Sequence, residues 1–317
     1  MFVYAMKFLL VWLAKSWIFA ASVRKIRSSI AKKYNLESRF KQNFETSHEV
    51  EWKDIKWAAK LSRYAYKQNT AIRETYKNFD DIYINEINEV KYILLTDHKN
   101  KKHYISVRGT TNSHNALQDI NFLKDRSKRL DIYLHTGFHR TAEEMSVDII
   151  RNLVTGYEVD LVGHSLGAAI SIIVGWYIDY AKYDVGKCIT FGQPKVTDSV
   201  GTRMMRDKIK ILRVVNETDI VSLVPPTGTH INNRYAHLGT LIKLLPHGKY
   251  CFLEEPDSLN FGINSFWFFA AREGFSFYEV GKELPDHYLD SYQENIDAII
   301  ASNSDEEILW KNRLKYL

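Results

Sequence analysis

The stretch Tyr157–Gly175, with the sequence YEVDLVGHSLGAAISIIVG, decides the fold of this chain. Its apolar run Val159–Val162 predicts a buried strand, and the Ala-, Ile- and Val-rich residues after Leu166 predict a helix. Residues 163–167 between them have the form G-x-S-x-G, which on a strand-to-helix turn is a nucleophile elbow. The alternative is a glycine-rich structural turn. The strand before it and the helix after it favour Ser165 as a nucleophile.

An activated serine needs a base and, behind the base, a carboxylate; the elbow predicts the chain order Ser, Asp or Glu, His. The next strand-like run, Ile209–Val215, is followed by the acids Glu217 and Asp219. An acid just past a strand's carboxyl end lies on the same rim as the elbow. Asp219 is the preferred acid and Glu217 the alternative. Asp198 and Asp207 lie in polar connecting sequence and are expected to be solvated.

Four histidines follow the acid in the chain, namely His230, His237, His247 and His287. His287 follows Pro285-Asp286 in a loop that leads into a helical segment. A base on such a loop can reach two other loops, so His287 is preferred. His237 is the second choice, because it lies in a strand-like segment where a histidine is more often structural.

A tetrahedral intermediate needs two hydrogen-bond donors aimed at its oxyanion. The N–H of Leu166, directly after the nucleophile, is the first candidate. The second is expected on a loop after an early strand, and the strand candidate His103–Val107 is followed by Arg108-Gly109-Thr110. Thr110 offers both its N–H and its hydroxyl, and Gly109 allows close approach of the backbone. The alternative for this loop is an ordinary strand-ending turn.

Six segments in this order make the chain resemble the fungal-type (class 3) triacylglycerol lipase family of the α/β-hydrolase superfamily. They are ISVRGT at Ile105–Thr110, TGFHRTAEE at Thr136–Glu144, VDLVGHSLGAA at Val159–Ala169, TFGQPKV at Thr190–Val196, NETDIVSLVPP at Asn216–Pro226 and DHYLDSY at Asp286–Tyr292. The resemblance implies a triad of Ser165, Asp219 and His287, with Thr110 and Leu166 as the oxyanion donors. It also matches His237 to a non-catalytic histidine, and it implies no metal or cofactor.

Two segments depart from what the resemblance implies. Interfacial lipases of this family carry an amphipathic lid after the oxyanion residue, but the corresponding residues 111–125 are mostly polar and predict a short or permanently open flap. Residues 264–280, NSFWFFAAREGFSFYEV, hold seven aromatic side chains. They are read either as packing against the core or as an acyl-binding or membrane-contacting wall.

Strand-like runs alternate with helical ones, which predicts an α/β fold: a mostly parallel central sheet with helices on both faces. The helical candidates are Phe138–Val154 and Leu166–Lys182. We expect a hydrolase domain over residues 46–300. An amphipathic pattern predicts a C-terminal helix within residues 301–317.

Residues 1–45 are the second informative region. Phe2–Ala21 is apolar apart from Lys7, Lys15 and Ser16, and residues 1–41 carry nine basic residues and one acid. Three interpretations stay open: a membrane span, a surface helix with a basic flank, or a cleaved signal peptide. The preferred one makes the protein membrane-associated with its hydrolase domain in the cytoplasm. Secretion is the alternative.

The charge of the chain is local rather than general. The net charge is +5, so the chain beyond the basic N-terminus is acidic overall, and no nucleic-acid motif occurs. A second basic stretch, KDRSKR at Lys124–Arg129, is read as a solvated loop or as a site attracting anionic lipid. Only two cysteines occur, Cys188 and Cys251, which favours a reducing compartment.

These patterns predict a serine carboxylester hydrolase that acts on lipid acyl esters through an acyl-enzyme. By resemblance, acylglycerols are the first substrate expectation. Phospholipid acyl hydrolysis is the alternative, favoured by the two basic segments. The alternative of another class is a non-catalytic, membrane-bound lipid-binding scaffold on a hydrolase fold. A lipid interface is the expected partner, and nucleic acid is not.

Overall fold

A computed structural model describes residues 50–110, 123–216, 219–225, 235–254, 285–302 and 307–308. Its main feature is an eight-stranded sheet with the order β1-β2-β3-β6-β7-β9-β11-β12. The five strands β3, β6, β7, β9 and β11 run parallel, and antiparallel strands flank them at both edges. The strands are β1 (Asp81–Ile87), β2 (Val90–Asp97), β3 (Lys102–Val107), β6 (Glu158–His164), β7 (Asp184–Phe191), β9 (Lys210–Asn216), β11 (Thr240–Leu245) and β12 (Lys249–Leu253). The predicted α/β class and mostly parallel sheet are confirmed.

Helices cover both faces of this sheet, as the alternating pattern predicts. One face carries α3 (Thr136–Arg151) and α4 (Leu166–Tyr180), and the other carries α1 (Trp52–Tyr64) and α6 (Leu289–Ala301). The short helix α2 (Asn69–Thr75) follows α1. Every residue of α4 from Gly167 to Ile178 is buried, which explains why its sequence is apolar on all sides rather than amphipathic. The helix after Ser165 is thereby held rigidly between the sheet and α3.

A second, four-stranded antiparallel sheet lies beside the first, with the order β10-β8-β5-β4. Its strands are β4 (Lys124–Ser127), β5 (Ile132–His135), β8 (Thr197–Asp198) and β10 (Tyr235–Ala236). A short helix, α5 (Ser199–Met205), follows β8. Such short, polar strands carry no alternation long enough to be read from sequence, because pairing rather than apolar pattern defines them.

The second sheet corrects two sequence expectations. Lys124–Arg129 is not wholly a solvated loop: β4 occupies its first four residues, and the largely buried Lys124 lies 3.1 Å from an Asp198 oxygen. Asp198 is not solvated either. It is buried and caps α5 by accepting hydrogen bonds from the N–H groups of Val200 and Gly201. The ion pair with Lys124 supplies the partner that a buried carboxylate needs.

The described residues belong to one compact unit, Glu49–Leu317. Of residues 301–317, where a C-terminal helix is predicted, the structure describes four: Ala301 is the last residue of α6, Ser302 follows it, and residues 307–308 lie outside any helix. There the chain is extended: Glu307 bridges Tyr250, and the N–H of the buried Ile308 donates to the Tyr250 carbonyl at 2.7 Å. The remainder of that segment, residues 1–49, the flap residues 111–122 and the aromatic run 264–280 lie outside the described residues. No helix among the described ranges is long and apolar enough to cross a membrane.

Candidate functional site

Ser165 lies on a sharp turn between β6 and α4, in a backbone conformation that side-chain-bearing residues rarely adopt. Its φ is 58° and its ψ is −130°, a strained geometry that costs about 1–3 kcal/mol. The turn leaves no space for side chains at its two glycines. A Cβ on Gly167 would lie 2.2 Å from the Val107 carbonyl oxygen, and one on Gly163 would lie 2.6 Å from the Gly167 carbonyl oxygen. The elbow geometry therefore depends on the G-x-S-x-G pattern itself.

Asp219 lies just past the carboxyl end of β9 and caps a short 3₁₀-helix, Ile220–Leu223. Its carboxylate is buried and accepts three hydrogen bonds. Oδ1 accepts from the N–H of Val221 at 2.9 Å, and Oδ2 accepts from Nδ1 of His287 at 2.9 Å and from the Tyr292 hydroxyl at 2.5 Å. Both oxygens of the buried acid are thus occupied by donors.

His287 ends a second 3₁₀ turn, Pro285–His287, and is 1% exposed. Its Nδ1 faces Asp219, whereas its Nε2 has no hydrogen-bond partner among the described residues. The backbone N–H of Ser165 donates to the Phe191 carbonyl at 2.9 Å, and the next residue, Gly192, contacts His287. A Cβ on Gly192 would lie 2.5 Å from Oδ2 of Asp219 and 2.9 Å from the imidazole, so only glycine fits beside the pair.

The electrostatics of this pair fix the protonation of the imidazole. Burial raises the pKa of Asp219, but the charge of His287 and hydrogen bonds from His287, Tyr292 and Val221 together hold that pKa below its usual value. An ionised Asp219 requires a proton on Nδ1 of His287. The unpaired Nε2 then keeps a lone pair and can accept a proton from a neighbouring hydroxyl.

The two candidate oxyanion donors flank Ser165. Leu166 is the first residue of α4, so its N–H has no acceptor within the helix. Thr110 lies on the loop after β3 and is half-buried. That loop touches the nucleophile turn, because a Cβ on Gly109 would lie 2.6 Å from the His164 carbonyl oxygen and 3.0 Å from the Ser165 Cβ. The structure thus places the loop that carries Thr110 against the turn that carries Ser165 and Leu166.

The other acids and histidines considered for the triad lie away from the Asp219–His287 pair or outside the described residues. Glu217 and His230 lie outside the described residues. His237 is buried just after β10, and its Nε2 lies 2.6 Å from the Ser222 carbonyl, where the ring donates to the backbone of the Asp219 loop. His247 is exposed in the turn between β11 and β12, and Asp207 is also exposed. The structure brings Asp219, rather than Asp207, together with His287.

Three residues that sequence reasoning did not single out hold the acid and the base. Tyr292 donates to Asp219, as described above. The Asn216 amide, at the end of β9, donates to the Asp286 carbonyl at 2.7 Å and so holds the loop of His287. The buried Lys195 donates from Nζ to the carbonyls of Leu223 and Pro225, which follow Asp219. Burial and the nearby charge of Arg213 lower the pKa of this lysine to about 7.

Because three histidines are buried with lowered pKa values, we predict that the fold becomes less stable at acidic pH. Burial lowers the pKa of His103 to about 4 and that of His164 to about 3, and burial also lowers the pKa of His237. Between pH 6.5 and about 4, the unfolded chain binds a proton at His103 that the folded chain excludes. Stability therefore falls as pH falls, by roughly 3 kcal/mol for this histidine alone.

Urea unfolding at pH 7 and at pH 4.5 measures this effect. Nε2 of His103 accepts the N–H of Val154 at 2.9 Å, a bond that protonation would remove. His103→Gln keeps an acceptor that does not titrate, so it should lose less stability than the wild type between the two pH values. His247→Gln, at the exposed turn, should lose as much as the wild type. Equal losses in all three proteins would contradict the assignment to His103.

The chain is similar to one protein family and to several curated proteins. A family model described as Lipase (class 3) matches residues 104–229. The chain is 29% identical over 109 residues to the chloroplastic phospholipase A(1) DAD1 of Arabidopsis thaliana, covering 32% of this chain and 24% of the relative. It is 27% identical over 144 residues to the secreted mono- and diacylglycerol lipase 1 of Fusarium solani, covering 41% of each. The chain therefore spans less than half the length of these curated relatives.

Solved structures show the same fold. The crystal structure of a lipase from Rhizopus microsporus var. chinensis matches with a TM-score of 0.57 and 19% identity, covering 77% of this chain and 88% of that one. At this identity the likeness concerns the fold. It agrees with the eight-stranded sheet and its helical layers described above.

Proposed function

We propose that this chain, whose residues 104–229 match the class 3 lipase model, is a serine carboxylester hydrolase that cleaves the acyl esters of lipids. One observation carries the proposal. A buried acid and imidazole, Asp219 and His287, leave one imidazole nitrogen without a partner among the described residues, and Ser165 lies on a strained strand-to-helix turn. A structural turn has no need of this combination.

The proposed reaction proceeds through an acyl-enzyme. Ser165 Oγ attacks the acyl carbonyl while Nε2 of His287 takes the hydroxyl proton and then gives it to the leaving alcohol. Asp219 orients the imidazole and stabilises the imidazolium. Thr110 and the N–H of Leu166 donate to the oxyanion. Water then repeats the cycle on the acyl-serine and releases the fatty acid.

Two substrate classes are proposed in order. Acylglycerols come first, supported by the relative from Fusarium solani, which is named a mono- and diacylglycerol lipase. Phospholipids come second, supported by the Arabidopsis relative named phospholipase A(1) and by the basic residues of the N-terminal region. Of the four cations in the second basic stretch, Lys124 pairs with Asp198 and Arg126 with Asp131, which leaves Lys128 and Arg129 for an anionic headgroup.

We further propose that the protein acts at a lipid interface and that residues 1–45 attach it there, with the hydrolase domain in the cytoplasm. The apolar and basic composition of this segment supports attachment. A secreted location is the alternative, supported by the relative from Fusarium solani, whose name calls it secreted.

Fatty-acid release from four substrates tests the function. The substrates are trioctanoylglycerol, trioleoylglycerol, neutral phosphatidylcholine vesicles and vesicles containing phosphatidylserine. The blank is protein treated beforehand with diethyl p-nitrophenyl phosphate. This reagent phosphorylates an activated serine and releases p-nitrophenol. We expect release from the glycerides that the blank lacks. Release mainly from anionic vesicles would support the phospholipase alternative. Flotation of the same vesicles measures how much of the full chain binds to their surface.

The contrary outcomes are equally definite. The absence of organophosphate-sensitive release from all four substrates would contradict the hydrolase proposal. Vesicle binding without release would then favour a non-catalytic lipid-binding scaffold. A full chain that stays unbound in the flotation assay would contradict interfacial attachment through residues 1–45.

A further inference from the structure

We propose that Tyr66 and His164 are positioning residues that connect the oxyanion loop to the backbone of the base His287. This inference rests on the proposed hydrolase function and goes beyond the triad and oxyanion residues. Tyr66 follows α1, and His164 is the last residue of β6. Neither residue has a role in the reaction proposed above, yet both lie between the two loops that the reaction must align.

Two hydrogen bonds and one close contact connect the two loops. The carbonyl of His287 can only accept, so Nε2 of His164, 2.7 Å away, must carry a proton. Nδ1 of a neutral His164 then accepts from the Tyr66 hydroxyl at 2.8 Å. The Tyr66 hydroxyl in turn lies against the backbone of the oxyanion loop, because a Cβ on Gly109 would lie 2.4 Å from the hydroxyl oxygen. Each bond fixes the direction of the next, so the chain has one consistent arrangement of protons.

Burial keeps this arrangement stable. Desolvation, followed by the charge of His287, lowers the pKa of His164 to about 3, so its ring stays neutral at ordinary pH. The ring centroids of His164 and His287 are 4.6 Å apart. A charged His164 would oppose the imidazolium that forms on His287, whereas a neutral ring does not. His164 can therefore hold the base without penalising its protonated form.

The oxyanion loop lies directly against Tyr66. Glycine is required at position 109, because a Cβ there would lie within 2.4 Å of the Tyr66 hydroxyl oxygen. Tyr66 thus fixes the backbone immediately before Thr110 and, through His164, the backbone of the base.

Removing the Tyr66 hydroxyl tests the connection. Tyr66→Phe keeps the ring but removes the hydroxyl that donates to His164 and contacts Gly109. With p-nitrophenyl butyrate, we expect kcat per active site to fall about tenfold or more, because small misplacements of reacting groups slow catalysis strongly, while KM changes by less than about twofold. Active sites are counted by titration with diethyl p-nitrophenyl phosphate, so unfolded protein does not enter kcat.

Matched variants separate positioning from general stability. Tyr64→Phe makes the same change two residues earlier, on a ring that packs against Tyr76, and should leave kcat per site unchanged. His164→Gln retains a donor for the His287 carbonyl and an acceptor for Tyr66, so it should keep more of kcat than His164→Leu. This rescue by a conservative variant is not expected of a residue that merely fills space.

The results that would overturn the inference differ from those that would overturn the function. If Tyr66→Phe or His164→Leu lowers only the number of titratable sites, with kcat per site unchanged, the residues stabilise the fold and do not position the base. Equal kcat values for His164→Gln and His164→Leu would have the same meaning. If the wild type neither reacts with the organophosphate nor cleaves the ester, the proposed function itself is wrong.

Discussion

Replacing Ser165 by alanine is expected to abolish ester hydrolysis and leave the fold unchanged. The variant removes the atom that forms the acyl-enzyme, and in serine hydrolases such a loss lowers kcat by about 10⁴-fold or more. Alanine keeps the Cβ and the backbone N–H that donates to the Phe191 carbonyl. The Ser165 hydroxyl makes no hydrogen bond within the described part of the chain, so stability should be equal or slightly higher.

The measurement is fatty-acid release from trioctanoylglycerol together with a thermal unfolding curve. Ser146→Ala is a matched control, because its buried hydroxyl donates to the Glu143 carbonyl within α3, away from the elbow. The control should retain full activity. Turnover by Ser165→Ala at a substantial fraction of the wild-type rate would exclude Ser165 as the nucleophile, whatever the stability of the variant.

Local sequence patterns were sufficient for the parts of this molecule that local physics determines. The apolar runs predicted the parallel strands β3, β6 and β9, because buried strands must be apolar on both faces, whereas β11 was not predicted. The G-x-S-x-G pattern predicted the turn at Ser165 because side chains are excluded from its glycines. The Ser–acid–His order then selected Asp219 and His287, and the structure brings these two side chains within hydrogen-bond distance.

The contacts that hold the site could not be read in the same way. Tyr292 and Asp219 are 73 residues apart, and Tyr66 and His164 are 98 residues apart. A tyrosine carries no local signal of the distant carboxylate or ring that it will meet. Asp198 was expected to be solvated because its neighbours are polar, but the chain folds Lys124 against it. Burial of a polar residue depends on a partner that only the tertiary structure supplies.

Replacing Asp219 by asparagine is the second change with a large expected effect, about a 10⁴-fold fall in kcat with little change in KM. The amide cannot serve all three donors that the carboxylate accepts. If its NH₂ group faces His287, the proton moves to Nε2 and the base is lost, and Tyr292 loses its acceptor. If its oxygen faces His287, the NH₂ group faces the N–H of Val221, and no charge stabilises the imidazolium.

Asp198→Asn is the matched control for this change. Asp198 is also buried, accepts two backbone N–H groups and pairs with Lys124, so its replacement should lower the melting temperature. Since it touches neither the base nor the nucleophile, kcat per titrated site should stay at the wild-type value. A fall in kcat per site for both variants would mean that the assay reports general damage to the fold.

Glu217→Gln decides between the two acids that follow β9. If Asp219 orients the base, the Glu217 variant should retain nearly full activity while Asp219→Asn does not. The Asp219 carboxylate is ionised in its buried site because His287, Tyr292 and Val221 all donate to it or stabilise its charge. Activity that survives in Asp219→Asn but is lost in Glu217→Gln would transfer the role of the acid to Glu217 and require the base to adopt a different partner during catalysis.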